Sequence, residues 1–281
     1  IASVGPNIGS YDDPTVVGGN TYYYRVGVLR NGSEVISSET QEFAAIFRII
    51  YKTYNRGIGA FNYNFDPIIS GNWEEYGKPL DVYKFDINNI DGSVYITNQD
   101  TYTVKKYDSE LNHLWTFNLP EDRRGSPIEV DSINDYVYVV TNSFLIKIDG
   151  SNGTEITENN WRNNITNLNL NTIRFMKLTS DNKYLICQPY YPDQSLIKID
   201  VSTGSEVTTG NWPANISSTS GYVREFRLDY NNNSYTIPDI NNGSYELIKT
   251  NTNGSVEWKI SPLFGGYRFT GMCFDSNGDL F

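Results

Sequence analysis

The chain writes one short phrase again and again, and each copy carries a tryptophan in the same slot. Lys147-Ile148-Asp149 is followed by a polar turn, an alternating stretch and Asn160-Trp161; Lys198-Ile199-Asp200 is followed by a turn, an alternating stretch and Asn211-Trp212. The same anchor stands upstream as Lys106-Tyr107-Asp108 and downstream as Lys249-Thr250-Asn251, with a degenerate copy at Asn62-Tyr63-Asn64. The anchors are 44, 41, 51 and 51 residues apart, and Trp73, Trp115, Trp161, Trp212 and Trp258, all the tryptophans of the chain, keep step with them. A period of that size signals a repeat architecture in which each unit buries its apolar face against its neighbours.

Each unit has the same internal grammar. A first alternating run ("DVYKFDI", "SPIEVDS", "IRFMKLTS", "VREFRLDY") meets a turn rich in Asn, Asp or Gly. A second run follows ("VYIT", "YVYVV", "YLICQ", "SYTIP"), then a variable loop and a third run ending at the anchor. A Gly- or Asn-containing turn leads into a fourth run near the Trp. Asp caps such turns through its own side chain, and Gly or Asn supplies positive φ. Four short strands per 41–51 residues predict an all-β chain, a β-propeller of four-stranded antiparallel blades over about 46–281. The anchors at 64, 108, 149, 200 and 251 should be structurally equivalent, and the Trp should pack between neighbouring blades or close a strand end.

"LIKTNTNGSVEWKI" and "VKKYDSELNHLWTF" resemble the outer hairpin of propellers with pyrroloquinoline-quinone-type or NHL-type repeats, and "FDSNGDLF" and "INNIDGSVYIT" resemble their inner hairpin. The likeness implies a fold, not a function, because propellers host enzymes, receptors and scaffolds alike. Quinone-binding blades use a stacking Trp and adjacent cysteines; Cys187 and Cys273 are far apart, so no cofactor is expected. Residues 1–44 stand outside the repeat. Tyr11–Asp13, Gly18-Gly19, the Tyr22–Val26 alternation, the Asn31-Gly32 turn and Ser37–Glu39 resemble the C-terminal half of a fibronectin type III domain. The expected division is therefore a partial fibronectin-like module at 1–44 and the propeller at 45–281. The "TYYYRVGVLRNGSE" variant resembles modules of bacteriophage virion proteins. The piece stops mid-strand at "GDLF", and sequence beyond Phe281 is expected to complete the ring.

A net charge of −11 argues against nucleic-acid backbones and anionic membranes as partners. No apolar run reaches 18 residues, so no helical membrane insertion is expected. Both cysteines sit in apolar runs and read as buried free thiols. The single histidine, His113, reads as filler in an outer turn, which makes His-rich metal sites and Ser-His-Asp catalysis poor fits. "DSNGD" at Asp275–Asp279 reads as a hairpin turn rather than a calcium loop. A propeller glycosidase would need two carboxylates on one sugar ring. Asp81, Asp86, Glu129 and Asp131 are the candidates, but none lies in a recognisable catalytic phrase, and Asp86 and Asp131 fall at expected turns.

No catalytic residue, metal or cofactor is therefore assigned, and recognition remains. The loop "QPYYPDQ" (Gln188–Gln194) is longer than "NQDT" and "TNS" in the two preceding units. Variable loops on a rigid scaffold are where recognition sits. Tyr190 and Tyr191 offer apolar area with polar tips, and Asp239, Arg123 and Arg124 on neighbouring loops could add polar contacts. The reading is a non-enzymatic structural or binding component of a phage virion (tail, fibre or appendage). Its partners would be other virion or surface proteins, with a host glycan or receptor, in a larger assembly. The alternative is an extracellular bacterial or archaeal surface or filament protein, and the third reading is a carbohydrate-active propeller enzyme.

Overall fold

The computed structural model describes nine strands before residue 82. They are β1 (Thr21–Tyr24), β2 (Gly27–Arg30), β3 (Ser33–Ile36), β4 (Thr40–Phe43), β5 (Ile49–Thr53), β6 (Gly57–Phe61), β7 (Pro67–Ile69), β8 (Glu74–Glu75) and β9 (Lys78–Pro79). From residue 82 onward it describes every residue except 99–100, 110, 121–126, 164–172, 190–194, 217–222, 242–243, 264–271, 275–279 and 281. The chain divides into two compact units, Ile1–Thr53 with Ile58–Asn72, and Tyr54–Gly57 with Trp73–Phe281. Within the first unit β1 pairs with β4 and β2 with β3. Arg30 stands opposite Ser33, the register a two-residue hairpin connection produces. The fibronectin type III likeness itself rests on sequence alone.

The repeats of the second unit are antiparallel meanders. Blade I is β10 (Val82–Ile87), β11 (Val94–Asn98), β12 (Thr103–Tyr107) and β13 (His113–Asn118). Blade II is β14 (Ile128–Asp131), β15 (Tyr136–Val140) and β16 (Leu145–Asp149); blade III is β17 (Ile173–Leu178), β18 (Tyr184–Pro189) and β19 (Ile197–Asp200). Blade IV is β20 (Val223–Leu228), β21 (Ser234–Asn241), β22 (Ser244–Thr250) and β23 (Val256–Leu263). A full fourth strand was expected everywhere. Among the described residues it shrinks to the bridge Ile148↔Glu155 in blade II and to two bridges, Ile199↔Glu206 and Leu196↔Ala214, in blade III. These are the two 51-residue repeats: in blade II the chain goes on into a 3₁₀ turn at Glu158–Asn163, and in blade III it loops out after Val207 and rejoins the third strand's edge at Ala214.

The four described anchors are equivalent, as the repeat predicts; Asn64 and Trp73 lie outside the described residues. Each anchor follows or closes the third strand and caps the next turn. Asp108 accepts from the Asn112 backbone N–H (2.8 Å), Asp149 from Ser151 (2.8 Å), Asp200 from Ser202 (2.8 Å) and Asn251 from Asn253 (3.0 Å).

The core is not one mass but a series of seams. One cluster joins Tyr95 and Val104 of blade I to Val137 and Ile148 of blade II; the next joins Tyr138 and Trp161 to Ile173 and Leu185; the third joins Ile186 and Trp212 to Phe226 and Ile248. Each seam is closed by a tryptophan. The indole N–H of Trp115 donates to Gly150 O (2.9 Å), that of Trp161 to Val201 O (2.9 Å) and that of Trp212 to Thr252 O (3.1 Å). The acceptor is always the residue after the next blade's anchor. The turn beneath carries a glycine at positive φ, Gly153, Gly204 or Gly254. A Cβ there would meet the preceding Trp ring or its backbone at 2.5–2.7 Å for Gly153 and Gly204. The repeated phrase is thus a staple: Trp in one blade, anchor and glycine in the next.

Candidate functional site

Of the five residues singled out for recognition, Tyr190, Tyr191, Arg123 and Arg124 lie outside the described residues. Asp239 is described, but not in a loop. Strand β21 runs on to Asn241, because Asp239 pairs with Tyr245 across the hairpin. Its carboxylate is held by Arg224 at 2.9 Å and only 14% of its side chain is exposed. It belongs to the sheet, not to a free rim. Below the Gln188–Gln194 loop, Gln188 is fully buried and turns its amide N–H back to Pro189 O (2.8 Å).

The described chemistry gathers instead on the first strands, which contact one another in succession from β10 to β14, β17 and β20. Register places one residue of each at the same level. Asp86 pairs across to Tyr95 and Lys106, Glu129 to Tyr138 and Lys147, Lys177 to Ile186 and Lys198, and Arg227 to Tyr235 and Lys249. The lysine of every row is the lysine of the Lys-x-Asx anchor. Bulges in β10, β17 and β20 fall one level further along, between Val82 and Lys84, Ile173 and Phe175, and Val223 and Glu225. Such bulges re-aim side chains at sheet rims and sites. Lys84 reaches the Phe175 ring two blades away (5.3 Å).

Two acidic and two basic residues therefore meet where the blades converge. Asp86 accepts from the Val130 backbone N–H of blade II (2.8 Å). Glu129 accepts from Leu178 N–H of blade III (2.9 Å) with one oxygen and from Lys177 Nζ (2.6 Å) with the other. Arg227 pairs with Glu225 at 2.6 Å. The expectation that Asp86 sits in a turn is corrected: β10 runs through it to Ile87, and Asn88 caps the turn through Ile90 N–H (2.9 Å). Asp131 closes β14 and does cap its turn, at Ile133 and Asn134 N–H. Asp81 lies outside the described residues.

Burial pushes the Glu129 carboxyl up to about 7, with Lys177 pulling it down and Asp86 pushing it further up. Asp86 is raised by burial against the pull of Lys177. Burial opposes the Lys177 ammonium, but Glu129 and Asp86 outweigh it and its pKa is raised. The consequence for stability has a definite sign. An acid whose folded pKa exceeds its unfolded value of 4.5 keeps its proton longer in the folded state. Its contribution to stability therefore falls as pH rises from 4.5 to about 7. Lys177's contribution is constant there and is lost only at alkaline pH. The unfolding free energy of the chain minus that of Glu129→Gln should decline across this window in urea titrations; a difference that grows with pH would contradict the assignment.

His113 is the first residue of β13, not a turn residue, and bonds the Thr116 hydroxyl (2.8 Å) on an outer strand. Cys187 is buried, as expected, and burial raises its thiol pKa; Cys273 is exposed, against expectation, because it alternates with Met272 and Phe274, which face the core. Asp275–Asp279 lie outside the described residues.

With this geometry in view, comparison with known proteins gives likenesses of shape only. No protein-family model matches the chain, and no curated protein matches it. A streptogramin B lyase structure superposes with a TM-score of 0.62 over 93% of this chain and 80% of its own, at 12% identity. The fold is that of a β-propeller. The Kuenenia stuttgartiensis hydrazine synthase gives 0.57 at 14% identity over 75% of this chain, which spans only 56% of that protein. The Staphylococcus aureus virginiamycin B lyase, solved with quinupristin as a variant made catalytically inactive by replacing one histidine with alanine, gives 0.53 at 14% identity, covering 86% and 74%.

Lys177 and Arg227 were missed by sequence reasoning, although the signal was present. Counting back from each Lys-x-Asx anchor through two hairpins places one charged residue per first strand at a common level.

Proposed function

We propose that this chain is a non-enzymatic interaction platform, a structural or binding component of a virion appendage, with the propeller as its rigid body. The observation that carries this is the state of the central carboxylates. Asp86 and Glu129 are tied to the backbone of the next blade, and Glu129 also to Lys177. A glycosidase pair needs a proton donor and a base both facing substrate. The lyase named above loses activity when one histidine is replaced, whereas the only histidine here stands on an outer strand. The virion location rests on the sequence likeness of residues 1–44. A cell-surface or filament protein is the alternative reading.

Recognition is assigned to the loop containing Tyr190 and Tyr191. In the full chain, Tyr190→Ala with Tyr191→Ala should weaken binding to intact bacterial cells at least tenfold, with Tm unchanged within about 2 °C. Normal binding by the double variant, or its unfolding, would assign the tyrosines to packing and overturn the loop's role.

A further inference from the structure

The seam between blades III and IV has an opening of about 120 Å3, lined by Thr179, Ile186, Lys198, Trp212, Asn232 and Thr252, with Asp181 and Tyr184 at its side. The repeat shows what normally fills this place. Between blades I and II it is the ring of Tyr95. That ring packs on Trp115 (5.8 Å), lies under Lys106 Nζ (5.1 Å) and sends its hydroxyl to Asp135 (2.7 Å) of the next blade. Between blades II and III Tyr138 takes the same level, 5.8 Å from Trp161 and 5.9 Å from Lys147.

Blade III has Ile186 at that level, paired to Lys198 as Tyr95 is paired to Lys106. The surroundings remain. Trp212 stands where Trp115 stands and donates to Thr252 O as Trp115 does to Gly150 O. Asn232, at positive φ in the turn between first and second strands, holds the place of Asp135 and receives the Ser180 N–H (2.6 Å). Lys198 Nζ lies 4.0 Å from the Tyr184 ring and 5.4 Å from Trp212. The slot therefore keeps the wall, the cation and the polar end of a tyrosine socket while lacking the tyrosine.

The geometry points to this slot as a binding site for a phenol. The ligand ring would lie against Trp212 and Ile186 beneath the Lys198 ammonium, and its hydroxyl would enter the polar end at Thr179, Asp181 and Asn232. The opening, at about 120 Å3, is smaller than the roughly 150 Å3 cavity that encloses a benzene, so it would take the hydroxyl-bearing part of the ring and leave the para substituent outside, and a cation over a ring adds attraction. This inference does not depend on the function proposed above. The phenol could be a free small molecule or the tyrosine of a partner peptide, and the chemistry recognised is the same.

The probe is p-cresol, added to the full chain while tryptophan fluorescence and Tm are followed. Saturable quenching with a Kd on the order of 1 mM and a concentration-dependent rise in Tm are expected. Toluene, lacking the hydroxyl, should bind at least fivefold more weakly. Ile186→Tyr fills the slot and should raise Tm without ligand and abolish the response. If that variant does not fold, Lys198→Met should fold and weaken p-cresol severalfold. A short tyrosine-containing peptide that competes with p-cresol marks the partner source; one that does not marks the free phenol. No saturable response in the native chain, equal binding of toluene, an unchanged response in Ile186→Tyr, or an unchanged affinity in Lys198→Met would each overturn the assignment.

Discussion

Replacing Trp161 by alanine should cost about 3–5 kcal/mol, the range for deleting a buried aromatic side chain, and urea unfolding should show it as a large fall in midpoint. Trp161 is 2% exposed. It packs on Tyr138, and its N–H bonds Val201 O across the seam. The variant loses the seam packing and leaves that carbonyl without its donor. The partner half of the staple makes the same point from the other side. Gly204→Ala adds a Cβ at 2.5 Å from Trp161 O, at φ +71°, and should destabilise by at least about 1–2 kcal/mol. Because seams couple only adjacent blades, local opening should be confined to blades II and III before the whole unit unfolds. Hydrogen exchange can resolve this: protection lost first in β15–β19, and retained in β10–β12, is the expected pattern.

Glu129→Ala should cost about 2–3 kcal/mol, because it removes the buried acceptor of Leu178 N–H and the carboxylate nearest a half-buried lysine. Glu129 is 8% exposed on its side chain and Lys177 35%. Without the carboxylate, Lys177 keeps its charge between the attraction of Asp86 and the repulsion of Arg227, and Leu178 N–H loses its acceptor. Glu129→Gln retains an acceptor and should cost less than half as much. If alanine and glutamine variants unfold at the same urea concentration, the pair does not hold the blades together.

Much of the propeller was legible because its grammar is local. The Lys-x-Asx anchors, the turn glycines and the tryptophans mark third strands, hairpins and seams without any long-range information. Less legible was how the fourth strand varies. The alternation in "TEITENNW" does not reveal that the chain leaves the sheet after Ile156, since a single bridge and a full strand need the same few residues. The centre was only half legible. Asp86 and Glu129 could be picked out as acids on first runs. Their engagement with Val130, Leu178 and Lys177 depends on how successive blades are rotated together, which no single repeat encodes. Asp239 was misplaced for a related reason: "PDINNGS" has turn composition, yet pairing with β22 extends the strand through it.

The most direct test of the platform reading compares turnover with binding. Polysaccharide extracted from bacterial surfaces is incubated with the full chain and with Asp86→Asn and Glu129→Gln variants, and products are read by mass spectrometry while intact-cell binding is measured in parallel. The account predicts no new reducing ends or unsaturated products with any of the three, and cell binding that the two central substitutions leave unchanged. Product formation by the native chain that disappears in Glu129→Gln would contradict it and make the central carboxylates catalytic.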